Sequence, residues 1–100
     1  MSNGPKAIKI GIDVNGELAY QPPHLHAKHG DAVTWTCDDS LIFAIQFLVT
    51  SPLTVAEFRR GDPASPVRTE AAPGSYSYAV AVSDGKRVYL DASCPVIIID

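Results

Sequence analysis

Apolar and polar residues alternate along most of the chain with a period of two, the pattern of half-buried strands. Ile8, Ile10, Ile12 and Val14 fall on one parity and Lys9, Gly11 and Asp13 on the other, and Asn15-Gly16 supplies a tight turn after them. Residues 18–28 are interrupted by Pro22-Pro23. Proline cannot donate to a ladder, so this stretch bends or lies at an edge and can serve both layers of a two-layer fold. After the Gly30-Asp31 turn, Val33, Trp35 and Cys37 share one face with Ala32, Thr34 and Thr36 on the other, which places the sole Trp in the centre of a core. Asp38-Asp39-Ser40 breaks that strand, and residues 41–47 follow as a run apolar on nearly both faces, as an interior strand would be. Tyr76, Tyr78, Val80 and Val82 then alternate with Ser75, Ser77, Ala79 and Ala81. Asp84-Gly85 turns the chain, residues 88–90 return antiparallel, and residues 95–100 close the sheet.

The middle of the chain follows a different rule. Thr54 and Glu57 have capping-box spacing, Leu53 and Phe58 sit where a hydrophobic staple would close, and Gly61 can end a turn in left-handed conformation. One or two helical turns are expected there. Residues 62–73, with Pro63, Pro66 and Pro73, read as a surface loop with a short strand near residues 67–69. The whole excursion, residues 51–73, is too long for an ordinary connection and is the expected recognition surface. Elsewhere turn signals arrive about every eight to twelve residues, the spacing of a β-sandwich.

Composition narrows the class. One hundred residues make one domain, with residues 1–6 read as a flexible N-terminus and residues 7–100 as a single sandwich. Val and Ile total 17 against 7 for Leu and Met, which favours pleated sheet because β-branched side chains lose rotamer freedom in a helix. Eight Lys and Arg against eleven Asp and Glu give a net charge of −3, with the basic residues scattered, so no nucleic-acid footprint is present. The longest apolar runs, residues 41–45 and 95–99, fall far short of the roughly 20 residues of a membrane-spanning helix. Met-Ser-Asn-Gly-Pro lacks the basic and apolar regions of a secretory leader, which sets a cytoplasmic location as the expectation.

Two blocks resemble the cupredoxins, small copper proteins built as a Greek-key sandwich. Gly30-Asp31-Ala32-Val33-Thr34-Trp35 is similar to the Gly-Asp-x-Val-x-Trp/Phe that opens the family's third strand, and Pro73-Gly74-Ser75-Tyr76-Ser77-Tyr78 to its Pro-Gly-x-Tyr-x-Phe/Tyr strand. With Pro22 and the Ile-rich final strand, the likeness covers most of residues 11–100. It implies an all-β cupredoxin-like fold but not the copper. The family's imidazole falls on Phe43, its thiolate on Val80 and its next histidine on Ser83, and the sole Met is Met1. A blue-copper centre needs two imidazoles and a thiolate around one ion, so type 1 copper is not expected. In a sandwich of that family, Cys37 and Cys94 would lie at the same end in opposite sheets. Free thiols and a disulfide are both open to them.

The remaining chemistry is concentrated in His24, His26 and His29, all the histidines of the chain. On a strand, His24 and His26 would project from one face about 6.6 Å apart, close enough to share a divalent metal, with His29 swinging in from the turn. Alternatively they are the solvent side of a one-sided strand whose Leu25 and Ala27 face the core. No nucleophile elbow, phosphate loop or argued carboxylate pair is present. The expected function is therefore a non-catalytic binding or interaction module for a protein partner or small ligand. Metal handling by the histidine cluster is the alternative.

Overall fold

Ten strands are formed in the computed structural model, which describes residues 5–91 and 95–100. They are β1 (Lys6–Ile12), β2 (Leu18–Gln21), β3 (His24–Ala27), β4 (Ala32–Cys37), β5 (Ile42–Phe47), β6 (Glu57–Arg59), β7 (Ser65–Pro66), β8 (Gly74–Ser83), β9 (Val88–Leu90) and β10 (Val96–Ile99). The smaller sheet has the order β2-β1-β4-β7, and the larger has β3-β10-β8-β5-β6 with β9 on the free flank of β8. Two pairings are parallel, β1 with β4 and β3 with β10, and the others are antiparallel. The sheets stack as a β-sandwich whose apolar parities face inward.

Local chemistry sets the corners. Asp13 accepts from the backbone N–H groups of Asn15 and Glu17, and Gly16 adopts φ +80°, a left-handed conformation that favours glycine, so β1 and β2 form a hairpin. Val14 therefore lies in the turn, fully exposed, rather than on the buried face of β1. Pro22 and Pro23 separate β2, in the smaller sheet, from β3, in the larger, so this stretch serves both layers as its sequence suggests.

The core centres on Trp35. Its indole projects from β4 of the smaller sheet into three rings of the larger, with centroids 4.9 Å from Phe58, 5.4 Å from Tyr78 and 6.3 Å from Phe47. Tyr78 is wholly enclosed. Burial pushes its phenol up to about 12. The indole N–H approaches the phenol outside hydrogen-bond geometry yet favours the phenolate, and the Asp91 carboxylate opposes it.

The helical turn expected at Thr54 to Glu57 does not form. Residues 57–59 are the extended strand β6, paired antiparallel with β5. Phe58 explains the difference. In the strand it is buried between Trp35 and Phe43, its ring 6.3 Å from that of Phe43 and stacked on it. That packing and the added ladder outweigh a local helix signal. The capping-box side chains bond elsewhere: Thr54 Oγ1 lies 3.0 Å from Ser65 Oγ, and Glu57 pairs with Arg59. Gly61 is left-handed, as expected, but ends a strand.

Residues 51–73 are likewise not a plain surface loop. They bury Leu53, Phe58, Val67 and Ala71 and contribute β6 to one sheet and β7 to the other. The short strand near residues 67–69 is displaced to β7, with a single bridge between Leu53 and Val67 beside it. The N-terminal boundary falls at Lys6, where β1 begins; residues 1–4, and Cys94 with any pairing to Cys37, lie outside the described residues.

Trp35→Ala is expected to cost about 3–5 kcal/mol in urea unfolding followed by circular dichroism, because an aromatic anchor leaves a cavity behind. Thr36→Ser, on the wet face of the same strand, should stay within about 0.5 kcal/mol. Tyr78 should titrate well above the ordinary phenol value. Its raised pKa contributes stability that is complete below the unfolded value of about 10 and is lost as pH rises toward about 12. Alkaline unfolding that is unchanged in Tyr78→Phe would contradict this.

Candidate functional site

The outer faces of the two sheets differ in chemistry. The smaller sheet presents Lys9, Gln21, Thr34 and Thr36, with the small residues Ala7, Gly11, Ala19 and Ala32 between them and, among the described residues of β1, β2 and β4, no large apolar side chain. The larger sheet divides. Around β10 and β3 its outer positions are Ser75, Ser77, Val96, Ile98, His24 and His26, whereas around β5, β8 and β9 they are apolar except for Gln46 and Ser83. Ile42, Leu48, Val88 and Leu90 are 62%, 51%, 66% and 74% exposed, and Ala44 is exposed between them.

Strand register arranges these side chains. One row across the sheet reads Leu90, Ala81, Ala44, Arg59, and the next Val88, Ser83, Ile42. The alanines opposite one another leave a trough of about 430 Å³ bounded by Ile42, Val88 and Arg59. A second hollow of about 300 Å³ shares Ala44, Ala81 and Arg59 with it and extends toward Ala79 and Leu90. The charges at the rim are engaged: Arg59 Nη2 lies 3.4 Å from Glu57 Oε2, and Arg60 Nη2 lies 3.1 Å from Asp39 Oδ1. At the far side of the sheet edge, the backbone N–H of Arg59 donates to Asp62 Oδ2 and its carbonyl accepts from the Asp62 N–H.

His24 and His26 occupy the solvent side of the larger sheet. Leu25 and Ala27 are buried while His24 and His26 project outward on β3. Nδ1 of His26 is 3.1 Å from Asp100 Oδ1, and Nε2 of His29 is 2.8 Å from the Ala71 carbonyl, on a separate contact. Among the described residues no group of three or more His, Cys, Asp or Glu is placed to hold a metal ion. The structure thus brings His24 and His26 to one face and holds His29 elsewhere.

Phe43 and Val80, on which the cupredoxin resemblance puts an imidazole and the thiolate, are both buried in the core, and Ser83 stands beside the Asp84-Gly85 hairpin. Cys37 lines a hollow of about 450 Å³ with Lys9, Thr36 and Leu41. Burial pushes its thiol up, against opposing effects of the Asp38 backbone N–H and the Arg60 charge, so this sulfur is kept as a thiol rather than an activated nucleophile. Among the described residues no helix is long and apolar enough to cross a membrane.

No family model matches the chain, and no curated protein matches it. The apolar outer face is the functional candidate that sequence reasoning missed, although its signal was present. Residues 41–47 are apolar on nearly both parities, the pattern of an interior strand, but within β5 the structure covers Phe43, Ile45 and Phe47 and leaves Ile42, Ala44 and Gln46 exposed.

Copper(II) added to the protein should give no intense visible thiolate-to-copper band. A band that is lost in Cys94→Ser would overturn the assignment of Phe43 and Val80 to the ligand positions.

Proposed function

We propose that this chain is a non-catalytic, cupredoxin-like interaction module without a type 1 copper site, docking a protein partner on the apolar half of the outer face of its larger sheet. The observation that carries the reading is the contrast between the two outer faces. A solvated sheet face normally alternates to polar residues, as the smaller sheet does. The larger sheet instead exposes Ile42, Leu48, Val88 and Leu90 around Ala44 and Ala81. Contiguous exposed apolar surface with a polar rim is the mark of an interaction site. The cupredoxin-like assignment is supported by the two parallel pairings, β1 with β4 and β3 with β10, which join the first and last strands to the interior of the chain. The absence of copper is supported by the apolar core positions of Phe43 and Val80.

A photo-crosslinking residue in place of Ala44, tested in an extract of the source cells, should form polypeptide adducts that disappear when Ile42→Glu is added. The same residue in place of Thr36, on the polar sheet, should form none. Equal adducts from both positions, or none from Ala44, would refute docking at this face.

A further inference from the structure

We infer that the occupant of this face is a second copy of the chain, forming a two-fold symmetric dimer. The inference rests on the docking reading above and names its partner. Its basis is the register of β5 against β8. On the outer face each β5 residue stands beside a β8 residue of equal or smaller size: Ile42 beside Ser83, Ala44 beside Ala81, and Gln46 beside Ala79. Leu48 continues the series, its backbone N–H donating to the Ser77 carbonyl at 3.2 Å.

A two-fold axis lying between these strands, parallel to them and in the plane of contact, turns one copy over and lays its β5 on the partner's β8. Each position along the axis is kept while the two strands exchange. Ile42 then meets the serine of the opposite copy, Gln46 meets an alanine, and Leu48 meets a serine. Bulk faces a gap at each end, and Ala44 and Ala81 let the backbones approach at the centre. The same operation sets Leu90 against the aliphatic stem of Arg59, because both belong to one row. An isologous contact requires a surface complementary to itself, and this register provides it.

Charge and size fit the same occupant. The rim arginines are already paired with Glu57 and Asp39, so closure strands neither of them. β5 and the facing stretch of β8, flanked by the three-residue strands β6 and β9 at a spacing of about 4.8 Å, give a patch no larger than about 14 by 20 Å. That is well below the roughly 800 Å² per partner of a stable complex. The dimer is therefore weak and reversible.

Sedimentation equilibrium of the purified, untagged chain between about 5 μM and 1 mM should show a reversible rise from the monomer toward twice its mass. Ile42→Glu and Leu48→Glu should hold it at the monomer while preserving the far-ultraviolet circular dichroism. On dilution of the wild type, amide NMR shifts should move at Ile42, Ala44, Ala81 and Leu90 and stay fixed at Thr34 and Thr36. This last measurement needs no variant to fold. A chain that remains monomeric at the highest concentration overturns the dimer, as does self-association whose shifts map to another face. Adducts to a different protein from the Ala44 position would then leave the docking reading standing, and loss of those adducts as well would remove both.

Discussion

The packing of the two sheets is centred on one side chain. From the smaller sheet, Trp35 meets three aromatic rings of the larger, and its partners come from β5, β6 and β8. Its position in β4 is itself fixed by the parallel ladder that sets Trp35 beside Ile8 of β1. A slip of one residue in that ladder would turn the indole to solvent and bring Thr34 or Thr36 inward, so the register of the smaller sheet and the stacking of the two layers are one constraint. The same constraint accounts for the course of residues 51–73. They must deliver Phe58 to the indole from the edge of the opposite sheet and then return to pair β7 with β4.

Strands were legible in the sequence wherever one parity was apolar and the other polar. The alternations of β1, β4 and β8, the hairpin at Asp84-Gly85 and the central place of Trp35 all follow from side-chain periodicity and turn chemistry. Periodicity failed where the deciding contact was remote. Thr54, Glu57 and Gly61 satisfy every local rule for a helical turn, but the ring that captures Phe58 lies more than twenty residues away in the chain, and no local pattern encodes it. The candidate site was half legible for a related reason. An apolar residue on both parities of β5 shows that neither face seeks water; it does not show whether this same chain covers both.

The two faces of β5 and β8 are linked in another way. Phe43 and Val80, at positions where the cupredoxin likeness would put metal ligands, point inward from the same strands that carry Ile42, Ala44, Ala79 and Ala81 outward. The core needs apolar groups at Phe43 and Val80 to complete the packing around Phe58 and Trp35. It makes no such demand on the outer positions, where uncovered apolar surface costs about 25 cal/mol for each Å² left in water. Folding of the monomer alone gives no physical reason for that expenditure, and association does.

The bond pair between Arg59 and Asp62 bears on what kind of association this can be. A sheet grows in two directions, face on face or edge to edge, and only the second can repeat without limit. Both outward backbone groups of Arg59, in the strand at the β6 edge, are occupied by Asp62, and Pro63 follows at once. An incoming strand would find no free ladder groups at that residue. At Arg59 the margin of the larger sheet is closed to strand addition while its outer face stays open, so at this point growth of the sheet is steered from the edge to the face.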